Sequence, residues 1–195
     1  MRLRLFLILV LGLLASACAD QKPKWALNDV TGHLPDLAFN LSGADDRTVD
    51  AADLRGKVVL VYFGYTHCPD ICPLAMTHLH MALRKLGPEA DDVRIVFVSL
   101  DPERDTTEVL DAYASAFDPR AIGVTGSLET VRKLAKRYRI AFSRDKPDAD
   151  GNYDVSHTSA VFVFDRAGKA RLLATSPEDI DAVVHDLRLL LETST

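Results

Sequence analysis

Cys68 and Cys72 stand four residues apart in the segment Cys68-Pro69-Asp70-Ile71-Cys72-Pro73. In regular helix that spacing puts both sulfurs on one face. Here Cys68 is expected just before the first full turn and Cys72 within it. Pro69 and Pro73 restrict the backbone and favour a fixed loop-to-helix turn. A helix N-terminus presents free N–H groups and positive potential, which favours thiolate over thiol. Thiolates are soft donors suited to Cu(I) and zinc. Two sulfurs leave a zinc site incomplete, because structural zinc takes four protein ligands. His157 is the best candidate for a third ligand, since it ends a polar loop and immediately precedes an expected strand. Two thiolates and an imidazole suit three-coordinate Cu(I), and accept Cu(II) with an added ligand. Two plainer readings stand beside this one. An exported cysteine pair is more often a redox dithiol or a structural disulfide, and a histidine before a strand is often only a hydrogen-bonding surface residue.

The remaining donors are weaker. His78 and His80, two apart on one expected helix, point about 200° apart and cannot easily chelate one metal. His185 falls on the polar side of the last helix, and His33 lies near the N-terminal tether. Met76 follows Cys72 by one turn, but it shares a stripe with Leu79, Leu83 and Leu86 and reads as core. Asp70 lies inside the cysteine loop, where it can tune the thiols, face a partner or act as an ordinary helix-start acid. Asp101 and Asp105, in Asp101-Pro102-Glu103-Arg104-Asp105, follow a second expected strand. If the strands are parallel, they lie on the same side of the sheet as the cysteine loop. They are candidates for shaping the site rim or a partner surface, though turn formation and capping account for much of this motif.

The elements that must carry these residues are legible. Val58 to Phe63 is apolar without alternation, as in a strand covered on both faces. The Met76-Leu79-Leu83-Leu86 stripe marks the following helix, stopped by Gly87-Pro88. Val93 to Leu100 reads as a second buried strand. Asp105 with Glu108 makes a plausible capping box for a helix with Val109, Leu110, Tyr113 and Phe117 inward. Ala121 to Val124 is a short strand, and Ser127 caps a helix carrying Val131, Leu134 and Tyr138. Short strands are expected over Leu34 to Asn40 and Arg47 to Val49, with a helical turn over Asp50 to Leu54. Phe142 to Ser156 reads as an exposed polar loop. Thr158 to Phe164 and Ala170 to Ala174 flank a turn at Asp165 to Lys169 as a hairpin. Ser176-Pro177-Glu178-Asp179 opens a last helix through Leu190. A cysteine pair after a buried strand, at the opening of a helix, makes this α/β order thioredoxin-like: a central mixed sheet flanked by helices, with an N-terminal strand extension.

Arg2 and Arg4 precede the apolar run Leu5 to Ala15, too short to span a bilayer comfortably and suited to a signal h-region. Ala15-Ser16-Ala17-Cys18 looks like a lipoprotein cleavage site, although Ala15-x-Ala17 also serves an ordinary signal peptidase. The expected organisation is a signal peptide over 1–17, a tether over 18–33 beginning at a lipidated Cys18, and one domain over 34–195. Three cysteines leave an odd thiol in an exported chain, and lipid on Cys18 would leave the single pair. The expected location is the periplasmic or extracytoplasmic face of a bacterial membrane. The 28 acidic and 23 basic side chains give a net charge of −5. With no basic stripe or RNA-type motif, nucleic acid is not an expected partner.

The chain resembles the SCO/SenC family of copper proteins. The resemblance rests on Gly64-Tyr65-Thr66-His67-Cys68-Pro69-Asp70-Ile71-Cys72-Pro73, Asp101-Pro102-Glu103-Arg104-Asp105-Thr106 and Tyr153-x-x-Ser156-His157-Thr158, in the family order, and covers roughly Leu34 to Leu190. It implies Cys68, Cys72 and His157 as copper ligands and a chaperone role in assembling the binuclear copper centre of cytochrome c oxidase. The implied partners are the oxidase subunit carrying that centre and an upstream periplasmic copper donor. The alternative is a membrane-tethered thiol–disulfide oxidoreductase that uses Cys68 and Cys72 to reduce the subunit's cysteines, with Cys68 attacking. A redox sensor or copper buffer is a third reading. A peroxidase lacks support beyond Thr66. Many relatives have aspartate before the histidine where this chain has Ser156. Thioredoxin-type oxidoreductases usually place proline before the corresponding strand; Val155-Ser156-His157-Thr158 has none, which favours ligand presentation over general disulfide exchange.

Overall fold

Residues 24–193 are described by the structure, a computed structural model. Strands β1 (Asn28–Asp29), β2 (Asn40–Ser42) and β3 (Thr48–Asp50) precede the central strand β4 (Val58–Gly64) and helix α1 (Ile71–Leu86). β5 (Val93–Ser99), α2 (Thr107–Phe117), β6 (Ala121–Val124) and α3 (Leu128–Arg137) follow. Then come β7 (Phe142–Arg144), β8 (Val155–His157), β9 (Val161–Phe164), β10 (Ala170–Ala174) and α4 (Ile180–Thr193). Among the described residues no helix is long and apolar enough to cross a membrane. The signal-peptide and Cys18 expectations lie outside the described residues.

Every residue of β4 is buried, as a strand covered on both faces requires. Side chains alternate across a strand. Accordingly Tyr62 meets Cys72 of α1, while Phe63 meets Tyr138 beyond the end of α3. The two helices therefore cover opposite faces of one sheet. The strand order is β1-β10-β9-β4-β5-β6. β4, β5 and β6 run parallel, and β9 is antiparallel to β4. The sheet is thus mixed, and β1 adds the N-terminal strand against β10. That strand is anchored by Asp186, fully buried in α4, whose carboxylate accepts from the Ala26 and Leu27 amides.

Helix α1 buries Cys72, Met76, Leu79, Leu83 and Leu86 on the expected stripe. Each fully buried Leu or Met there contributes about 1.5–3 kcal/mol relative to exposure. Because β4 and β5 are parallel, the loops that leave them emerge at one end of the sheet. The Leu100 amide donates to the Gly64 carbonyl there at 2.7 Å.

Several local expectations are corrected. The first of these strands lies at Asn40–Ser42 instead of Leu34 to Asn40; it pairs with β3 and bridges to Thr125 through Ser42, while the Ala38 amide upstream is taken by the Tyr138 hydroxyl. The cap of α2 is Thr106, whose side chain accepts from Val109 N, so Asp105 is free for another role. Val109 is 40% exposed, and Leu110 and Ala114 fill the buried face of α2 instead. The polar stretch Phe142 to Ser156 is no plain loop: β7 and β8 pair as an antiparallel hairpin that includes His157. The strand expected from Thr158 begins at Val161. Helix α4 begins at Ile180, capped by Asp179, which accepts from Ala182 N; Ser176 only closes a turn before it.

Candidate metal centre

The site is built where β4 ends. Cys72 is the second residue of α1 and is fully buried beneath the tip of β4. Cys68 lies half-buried in the preceding loop, its amide donating to the Tyr65 carbonyl at 3.3 Å. Its sulfur sits 3.4 Å from the Cys72 amide and accepts that N–H. It thus satisfies one of the helix's free donors, in place of Asp70, whose side chain makes no cap bond. Asp70 is exposed on the rim of the cleft.

His157, in β8, reaches the same point from the other end of the chain. Its Nε2 lies 3.4 Å from Cys72 Sγ. Its Nδ1 lies 3.0 Å from the Thr158 carbonyl oxygen. A carbonyl only accepts, so Nδ1 carries the proton and the Nε2 lone pair faces the sulfur. Tyr62 and Tyr65 both meet the imidazole edge-on, with ring centroids 6.1 and 6.2 Å away. The Tyr62 hydroxyl donates to Cys72 Sγ at 3.8 Å. Neither tyrosine was singled out as a site residue from sequence; their places on and just after the strand that delivers the cysteine loop were the available signal.

Burial governs the protonation states. It pushes the Cys72 thiol up to about 12 and lowers His157, with the Thr158 hydrogen bond opposing the latter weakly. At neutral pH Cys72 is a thiol donating into a neutral imidazole. The expectation that the helix N-terminus would hold it as thiolate is corrected: desolvation outweighs the dipole at a sulfur with no solvent exposure. Among the described residues, no three or more His, Cys, Asp or Glu side chains are gathered as a metal-holding group. Two of the three expected donors touch, and the third is engaged by the helix backbone. The donor chemistry, two sulfurs and an imidazole nitrogen with its lone pair inward, fits a soft cation.

The two acids expected at the rim are instead buried fasteners. Asp105 accepts from Thr66 N at 3.1 Å, Thr66 Oγ1 at 2.6 Å and Ser99 Oγ at 2.6 Å, tying the cysteine loop to the end of β5. His67 Nδ1 lies 3.7 Å from the same carboxylate. Asp101 accepts from the Tyr153 hydroxyl at 2.8 Å and pairs with Arg104. The Tyr153 ring lies between the guanidinium groups of Arg104 and Arg144, 3.6 and 4.3 Å from its centroid. This clamp holds the β7–β8 hairpin, and with it His157, against the loop after β5. His80 pairs with Asp118 and His185 with Asp186. Met76 is fully buried in the core.

The SCO1/SenC family model matches residues 32–192. The mouse mitochondrial protein SCO2 homolog is 37% identical over 159 residues, which span 78% of this chain and 62% of that protein. The chain thus covers less than two thirds of that relative's length. The crystal structure of Arabidopsis thaliana ScoI with copper bound superposes with a TM-score of 0.74 at 32% identity, covering 80% of this chain and 98% of that one. The apo Sco1 protein from Thermus thermophilus superposes with a TM-score of 0.73 at 38% identity, covering 86% and 95% respectively.

Proposed function

Because the chain belongs to the SCO1/SenC family, we propose that it is a copper carrier that holds the ion between Cys68, Cys72 and His157 and hands it to the copper-site subunit of cytochrome c oxidase. The observation that carries this is the 3.4 Å approach of His157 Nε2 to Cys72 Sγ with the imidazole proton turned away. Cys68 lines the same cleft as His157, and binding requires its sulfur to leave the Cys72 amide and turn toward the imidazole. Copper displaces the thiol protons as it binds.

Release proceeds by ligand exchange. Cys68 is the accessible sulfur and Cys72 the buried one. A recipient thiolate therefore replaces Cys68 first, and no free ion forms. Differential affinity sets the direction. The carrier works outside the cytoplasm, held to its membrane by lipid on Cys18, with a periplasmic donor upstream.

The test is an anaerobic Cu(I) titration of the reduced domain beside His157→Ala and Cys68→Ser. One tight equivalent, weakened in both variants, supports the reading. Unchanged affinity in His157→Ala removes the imidazole from the site.

The unequal exposure of the two thiols also supports a second reading, that the pair reduces a disulfide on the same recipient. Cys68 attacks, Cys72 resolves, and the recipient gains two thiols as Cys68–Cys72 becomes a disulfide. Dithiol exchange with an apo oxidase fragment, without metal transfer, favours this second role.

A further inference from the structure

A cavity of about 830 Å³ lies apart from the cysteines, between α3 and the wall formed by residues 100–103 and β7. Its floor includes buried Leu100, Ala135 and Ile140. Arg132, Lys136 and Arg139 line its α3 side and are exposed. Arg132 and Lys136, four residues apart, share one face of α3, and Arg139 follows in the turn just past the helix end, in the left-handed backbone region. Among the described residues no acidic side chain pairs with any of the three. The acids on the opposite wall are engaged: Glu103 by Arg144, and Asp101 by Arg104 and Tyr153. The groove thus presents three uncompensated cations in a chain of net charge −5.

We infer that this groove binds an acidic, extended segment of a partner protein, with carboxylates on the three cations and an apolar side chain on the floor. Three cations carried in succession by α3 and the turn after it suit several carboxylates spaced along an extended segment better than one small anion. The β7 wall belongs to a two-stranded sheet and, among the described residues, has an unpaired edge, the feature that accepts an added strand. This chain's own residues outside the described range do not supply the segment: residues 1–23 contain one acid, Asp20, beside Arg2, Arg4 and Lys22, and residues 194–195 have no acidic side chain. Phe142 of β7 pairs directly with His157 of β8, so the occupant would brace the hairpin that carries the imidazole. The binding itself does not depend on copper.

The probe is the peptide Ac-Glu-Val-Asp-Phe-Glu-NH2, titrated into the ¹⁵N-labelled, metal-free, reduced protein, beside a Gln/Asn counterpart. Saturable shifts confined to β7, residues 100–103 and α3, weakening with salt, are expected. The paired charge reversals Arg132→Glu and Arg139→Glu, both at exposed positions, should weaken binding by roughly tenfold or more. No saturable binding overturns the inference, as does equal affinity for the neutral peptide or an unchanged affinity in the double variant. Sedimentation of the protein alone provides a further check: a salt-sensitive dimer abolished by the double variant overturns it in favour of a second copy of this chain.

Discussion

A methyl group on Gly64 would lie 2.9 Å from Cys72 Sγ and 3.0 Å from the Phe97 ring. The sulfur can settle beneath the tip of β4 only because that residue has no side chain. Gly64→Ala is therefore expected to push Cys72 out of line with His157 and to cost about 1–3 kcal/mol through overpacking. Denaturant unfolding checks the stability. A Cu(I) competition titration checks the affinity, which should fall more than in an overpacked variant of equal stability far from the site.

Raised and lowered protonation equilibria make the site pH-sensitive in two directions. The folded Cys72 thiol holds its proton up to about 12, against an ordinary value of 9.0. Its contribution is fully present below pH 9 and is lost as pH rises toward 12. His157 is lowered below 6.5, so its contribution is present above pH 6.5 and is lost as pH falls through its folded value. Unfolding free energies measured across pH should show a shallower alkaline decline in Cys72→Ala and a shallower acid decline in His157→Ala. Parallel curves for variant and parent would contradict the burial argument.

What could be read from residues alone divides along a physical line. The β4 run and the α1 stripe are legible because burial on both faces leaves an unbroken apolar run and burial of one helix face leaves a helical period. The β7–β8 hairpin is not: its strands are three residues each, with one apolar residue apiece, too short to show a period, and they pair outside the main sheet. Thus the residue type of His157 was readable, but its 3.4 Å approach to Cys72 was not. Asp105 looked like a cap because a local pattern fits it. Its actual partner Thr66 lies 39 residues away, and only the parallel alignment of β4 and β5 brings them together.

Tyr153 offers a way to loosen His157 without touching any donor. Tyr153→Phe removes the hydrogen bond to buried Asp101, costing about 0.5–1.5 kcal/mol. Tyr153→Ala also removes two cation–π contacts, each worth about 0.5–1 kcal/mol. Faster hydrogen exchange in residues 142–157 and faster copper dissociation are expected, graded from Phe to Ala. If exchange quickens while copper dissociation stays constant, the clamp holds the hairpin but not the metal site.

Asp105 should prove the most sensitive residue that supplies no metal-binding atom. Its carboxylate is fully buried and accepts two hydrogen bonds from Thr66 and one from Ser99. Asp105→Ala leaves those donors without their acceptor and should cost roughly 2–4 kcal/mol. Asp105→Asn keeps one acceptor oxygen but presents an amide N–H₂ to at least one donor, so it should recover only part of the loss. If Asp105 served only as a helix-start residue, the α2 cap from Thr106 would remain and either variant would cost a few tenths of a kcal/mol. Thermal unfolding of the two variants separates these outcomes. A Cu(I) titration of Asp105→Asn then shows whether the cysteine loop, still folded but less firmly tied to β5, keeps its sulfurs in register with His157.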